Sequence, residues 1–175
     1  MVGGALPTRA AGRARKFSPE SGVTASNFLL LRRARRVFHG ARPSTDVMLN
    51  YLFIGLGSAL GGMLRYWLSG LVALRFGETF PAGTLVVNVS GSFAIGFFAT
   101  LTGTDGRLLV GPTTRNFFLA GICGGYTTFS SFSLQTLDLA RDGEWLYAGL
   151  NAVLSLVLCL VAVWLGHVSA QFCNR

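Results

Sequence analysis

Apolar residues gather in four stretches, about Tyr51 to Leu74, Thr84 to Leu101, Asn116 to Leu139 and Trp145 to Gly166. A helix of roughly 20 apolar residues crosses a bilayer core, so the pattern predicts four transmembrane helices. The second and fourth stretches run with few breaks. The first and third are punctuated by glycines and polar residues, and their predicted ends are correspondingly loose by about a turn.

The third stretch carries the most unusual pattern, Ala-Gly-Ile-Cys-Gly-Gly-Tyr-Thr-Thr-Phe-Ser-Ser-Phe-Ser-Leu-Gln-Thr from Ala120 to Thr136. In hydrocarbon an interrupted helix is tolerated only where protein or a watery cavity satisfies the freed backbone groups. Gly124 and Gly125 are expected to break the helix and to leave the carbonyls near Gly124 to Thr128 without their helical partners. Unwound carbonyls are a common means of holding a small cation inside a membrane protein. Phe129 and Phe132 lie three apart and share a helical face, which suits lipid or core packing. Beside Ser130, Ser131, Ser133, Gln135 and Thr136 they sit in too polar a segment for plain lipid contact. A phenyl ring has a positive edge, so rings presented edge-on can stabilise an anion. Ring edges, hydroxyls and an amide together can replace the water of a small hydrated anion while still releasing it.

The other stretches each hold a smaller signal. Gly57 and Gly61 form a GxxxG pair in the first, the mark of a close helix-packing seam. Arg65 lies deep in the same stretch, where it either snorkels to an interface or lines an anion-attracting vestibule. In the second, Asn88 and Ser92 are four apart on one face; a buried asparagine joins helices or donates to a passing anion. In the fourth, Asn151, Ser155 and Cys159 recur every four residues as a narrow polar stripe, either a packing seam or a pathway wall.

Composition agrees with a membrane protein: of 175 residues, 51% are hydrophobic and 13% charged, with 23 glycines. The net charge of +8 is concentrated in residues 1–47, where Arg9, Arg13, Arg15, Lys16, Arg32, Arg33, Arg35, Arg36 and Arg42 face only Glu20 and Asp46. This basic extension is expected to lack a fixed fold, with room for an interfacial helix around Asn27 to Phe38. Three readings stand for it: an arm on anionic lipid, an arginine-rich targeting segment, or sequence upstream of a start at Met48. Nucleic acid is not an expected partner, because a basic arm alone is weak grounds for one. From residue 48 onward Arg107, Arg115 and Arg175 fall on one side of the membrane and Arg75 and Arg141 on the other. That balance gives almost no positive-inside bias, so the domain 48–175 can insert in either orientation.

Enzymatic chemistry finds no footing here. Cys123, Cys159 and Cys173 lack metal-ligand spacing, His39 and His167 are isolated, and no nucleophile-base set or phosphate-binding loop occurs.

Three segments, Gly-Gly-Met-Leu-Arg-Tyr (61–66), Gly-Thr-Leu-Val-Val-Asn-Val-Ser-Gly (83–91) and Gly-Ile-Cys-Gly-Gly-Tyr-Thr-Thr-Phe-Ser-Ser-Phe-Ser (121–133), resemble in order and spacing those of the Fluc/CrcB family of fluoride channels. The resemblance covers about Met48 to Val168. It implies an all-α membrane protein with four transmembrane helices per subunit, the third broken, assembled as an antiparallel dual-topology homodimer in the inner (plasma) membrane. It also implies a structural sodium ion at the dimer interface, held by the backbone carbonyls of Gly124 and Thr127. The residues carried over to the fluoride path are Asn88, Phe129, Phe132, Ser131, Asn151, Ser155 and Arg65. Gln135 stands where the family often has glutamate, and Cys159 where a small hydroxyl residue is common.

The function so implied is a passive fluoride-selective channel that lowers cytoplasmic fluoride. Hydrogen fluoride is a weak acid whose neutral form crosses membranes and ionises in a more alkaline cytoplasm, so the trapped anion needs a conductive exit. The alternative is a small four-helix proton-coupled multidrug exporter, which would need an acidic residue in a span interior. Asp138 lies near the end of its stretch.

Overall fold

The computed structural model describes residues 44–77 and 79–175. The readings made for the basic extension therefore lie outside the described residues, apart from its last four positions. Helix α1 spans Thr45–Phe76, α2 spans Ala82–Leu101 and α5 spans Trp145–Asn174. These three are long and apolar enough to cross a membrane, with mean hydropathies of 1.6, 1.6 and 2.3. At 1.5 Å per residue the 32 residues of α1 extend about 48 Å, beyond a hydrocarbon core of about 30 Å.

The third apolar stretch is built differently. An α-helical start, Pro112–Asn116, passes into a π-helical segment, Phe117–Cys123, and then into one α-helical turn, Gly124–Tyr126. These pieces run on from 112 to 126 and together form α3. Thr127 and Thr128 are extended, and α4 follows as Phe129–Arg141. Among the described residues there is no strand.

Side-chain burial is inverted relative to a water-soluble protein. The buried apolar residues are small ones, Val87, Cys123, Ala148, Ala162 and Ala170, while Met63, Tyr66 and Leu74 are exposed. Lipid tails are as apolar as leucine, so helices in a membrane gain little by hiding large side chains and more by approaching closely. Two seams show this. Gly57 and Gly61 of α1 lie against Gly121 and Gly125 of α3: a Cβ on Gly57 would stand 2.7 Å from the Phe117 carbonyl oxygen, and one on Gly125 2.7 Å from the Ser58 Cα. Along α2 and α5, Gly96 lies against the Val163 carbonyl and Gly166 against that of Phe93. The predicted GxxxG seam is thus present, and its partner is a second small-xxx-small pair in the third stretch.

The turns follow from local chemistry. Gly77 ends α1 at φ 81°, donating its N–H to the Ala73 carbonyl at 2.8 Å. Gly143, at φ 84°, reverses the chain between α4 and α5. Both sit in the left-handed region that favours glycine.

Candidate functional site

The interruption after Tyr126 is specified by threonines rather than glycines. Gly124 adopts αR dihedrals and Gly125 is helical, so the expectation that this pair breaks the helix is corrected. Gly125 is instead required for packing, because it lies on the backbone of Ser58. The extended residues are Thr127 (ψ 157°) and Thr128 (φ −151°), whose β-branched side chains suit that conformation.

Three sets of hydrogen bonds hold the two extended residues. Thr127 donates both its N–H and its hydroxyl to the Cys123 carbonyl, each at 3.0 Å. The side-chain amide of Asn88, on α2, clasps Thr128 from the other side: Oδ1 accepts the Thr128 N–H at 2.8 Å and Nδ2 donates to the Thr128 carbonyl at 3.0 Å. The Thr128 hydroxyl then caps α4, accepting from the Ser131 N–H at 3.1 Å. Such a cap contributes about 1 kcal/mol, and each of the Asn88 bonds a similar net amount. Gly91, one turn along α2 from Asn88, leaves room for the Thr127 methyl and the Tyr126 ring.

This arrangement changes the carbonyl accounting of α3. In a continuing helix the Thr128 N–H would serve the Gly124 carbonyl, but Asn88 takes it. Among the described residues no side chain, turn or neighbouring element donates to the carbonyl of Gly124 or of Thr127. Gly124 is also exposed, with only the Leu119 carbonyl near the place of a Cβ, at 3.8 Å.

Beneath the extended residues runs an open groove of about 560 Å³. Asn88, Phe129, Phe132 and Ser155 line it together, as do Thr127, Thr128, Ser92 and Cys159. The two phenyl rings stand 5.2 Å apart between centroids, tilted by 50°. Phe129 is 79% exposed on the single subunit, so its ring points away from the subunit's own core. Among the described residues no charged side chain lines the groove. An anion there meets hydroxyl and amide donors and two phenyl rings without a fixed counter-charge to trap it.

The remaining predicted residues divide. Asn151 is buried behind the groove, donating from Nδ2 to the Thr136 hydroxyl at 2.8 Å and accepting from the Ser155 hydroxyl at 3.4 Å. Ser131 belongs to the cap of α4 and does not line the groove. Arg65 is half-buried on α1 and is likewise not among the lining residues. Gln135 lies off the groove, in a larger cavity of about 730 Å³ shared with Asp138, Asp142 and Glu144. Those carboxylates make that cavity a poor resting place for an anion.

Two residues were underweighted in the sequence. Thr128 carries both the clasp and the cap, and its signal was its place three residues before Ser131 at a helix start. Thr136 joins α4 to α5, and nothing in its spacing distinguishes it from an ordinary helical threonine.

Residues 52–167 match the family model described as CrcB-like protein, Camphor Resistance (CrcB). The chain belongs to the CrcB family. Among its CrcB relatives is a protein of Paramagnetospirillum magneticum named fluoride-specific ion channel FluC, 64% identical over 128 residues, which are 73% of this chain and 100% of the relative. Proteins of the same name from Opitutus terrae and Rhodospirillum rubrum are 69% and 61% identical. They cover 71% and 73% of this chain and 94% and 98% of their own lengths. These relatives are named as ion channels, not as enzymes or exporters, and the drug-exporter alternative gains no support.

Proposed function

We propose that this CrcB protein is a passive, fluoride-selective channel of the bacterial plasma membrane, multi-pass, which lets fluoride leave the cytoplasm. The observation that carries the reading is the uncharged groove in which Asn88, Phe129, Phe132 and Ser155 converge beneath the extended threonines. The names of the relatives supply the identity of the ion. Fluoride moves along the two ring edges, exchanging water for aromatic C–H, the free N–H of Asn88 and the Ser155 hydroxyl.

In this reading α3 and α4 together form the third, broken span, and the functional unit is an antiparallel dual-topology homodimer. The even charge of residues 48–175 favours that arrangement, as does the exposure of Gly124 and Phe129 on the single subunit. The carbonyls of Gly124 and Thr127, to which no side chain, turn or neighbouring element donates among the described residues, fit a sodium ion at the dimer interface. Bound there, sodium would supply the positive charge that satisfies those oxygens and fixes the break.

Fluoride efflux from liposomes tests the reading. Wild-type protein should release fluoride faster than chloride, and Phe129→Ile or Phe132→Ile should cut the flux by at least about tenfold, the loss of roughly 1.4 kcal/mol of ion stabilisation. Unchanged flux in both variants would remove the groove from the conduction path.

A further inference from the structure

A hydrogen-bond chain runs behind the groove with a fixed direction. Thr136 donates its one hydroxyl proton to the Phe132 carbonyl at 2.7 Å. Toward Asn151 that hydroxyl can therefore only accept, and it takes the Nδ2 hydrogen at 2.8 Å. Asn151 must then turn its oxygen the other way, toward Ser155, whose hydroxyl donates to it at 3.4 Å. Asn151 is 1% exposed, so water does not replace either partner. Ser155 lines the groove, whereas Asn151 and Thr136 do not.

We propose that Thr136 is a positioning residue of the conduction path. By fixing the Asn151 amide it leaves the Ser155 hydroxyl on a long, weak bond, from which it turns to donate a hydrogen bond to a passing fluoride and to which it then returns. The inference rests on the reading of the groove as the fluoride path. A donor parked on a weak internal acceptor differs from a free one in its effect on an anion. The free hydroxyl binds the ion more tightly and lets it go more slowly; the parked hydroxyl loses part of its gain to the broken internal bond. Throughput at high fluoride depends on that reduction. The Thr136 hydroxyl achieves it at one remove, because without an acceptor at Thr136 the buried amide reverses. Nδ2 then faces the Ser155 oxygen, and the Ser155 proton is left standing in the groove.

The test is the concentration dependence of fluoride flux through purified protein in liposomes. Thr136→Val, which keeps the shape and removes the acceptor, should lower the half-saturating fluoride concentration by about three- to tenfold, the factor one hydrogen bond implies. Its maximal flux per folded channel should fall in parallel. Thr136→Ser should behave as wild type. Ser155→Ala placed in the Thr136→Val background should abolish the shift in half-saturation, because the freed donor is gone. A merely structural role for Thr136 would reduce the number of active channels and leave half-saturation where it was; that result overturns the proposal. Should Thr136→Val fail to fold, Asn151→Ala removes the internal acceptor directly and should produce the same fall in half-saturation, and an unchanged value there is equally decisive. Failure of the groove reading itself is distinguishable, because it leaves Phe129→Ile and Phe132→Ile without effect as well.

Discussion

The third stretch is held from two sides by opposite means. On the α1 side Gly57 and Gly61 meet Gly121 and Gly125 backbone to backbone, with no room for a single added carbon. On the α2 side Asn88 reaches across and binds both the N–H and the carbonyl of Thr128. The first contact is made by what has been removed, and it gains its attraction from dispersion at close range. The second is made by what is present, and it answers for backbone groups that hydrocarbon cannot satisfy. The seam sets where α3 lies, and the clasp sets where α3 stops. A variant that adds atoms should damage the first, and a variant that removes polar atoms should damage the second.

The largest effect is expected at the seam. Gly61→Ala places a Cβ against the Ile122 carbonyl and 2.7 Å from the Tyr126 nitrogen. Both are backbone atoms, so no rotamer change relieves the overlap. The cost should reach the upper end of the usual overpacking range, about 3 kcal/mol, with Gly125→Ala similar. Thermal melting of the detergent-solubilised protein should fall sharply, and the size-exclusion profile should lose its single peak. Wild-type melting in both variants would mean that α1 and α3 are further apart than described.

A smaller loss is expected at the clasp. Asn88→Leu keeps the bulk but leaves the buried N–H and carbonyl of Thr128 without their amide partner, a cost of about 1–3 kcal/mol. Asn88→Asp retains an acceptor for the Thr128 N–H while placing a carboxylate in an otherwise uncharged groove. Fluoride flux per folded channel should therefore fall more in Asn88→Asp than its melting temperature would suggest. Parallel losses of stability and flux in the two variants would argue that Asn88 only clasps and never meets the ion.

How far the sequence revealed these features depended on whether the signal was local. The GxxxG of α1 declares itself by spacing, and the long apolar runs of α1, α2 and α5 announce their elements directly. Phe129, Phe132, Asn88 and Ser155 were identifiable as polar or aromatic exceptions within apolar stretches, and they do meet in one groove. The break falls within the expected stretch Gly124 to Thr128, but at its threonines rather than at the glycine pair, because glycine carries two meanings, freedom to unwind and permission to pack. Only the position of Ser58 against Gly125 decides between them. The π-helical segment Phe117–Cys123 left no pattern in composition. The direction of the chain from Thr136 through Asn151 to Ser155 likewise depends on α4 lying against α5, which no local spacing encodes.

The smallest effect within one subunit is expected at Gly124, and it sharpens the comparison because Gly124 belongs to neither contact. A Cβ there would meet nothing nearer than the Leu119 carbonyl oxygen at 3.8 Å, and the residue is exposed. Judged by the single subunit, Gly124→Ala should be harmless, and helix propensity even favours alanine by about 1 kcal/mol. In the proposed homodimer the same position faces the second copy close to the sodium, where two added methyl groups would crowd the interface. The variant should then keep its subunit fold by circular dichroism but require more sodium to remain dimeric, while the channels that do assemble keep their preference for fluoride over chloride. Dimer stability and sodium dependence identical to wild type would place Gly124 away from the interface and remove its carbonyl from the sodium site. A loss of fluoride preference in the surviving channels would instead tie the ion path to the break itself, rather than to the phenylalanines a turn beyond it.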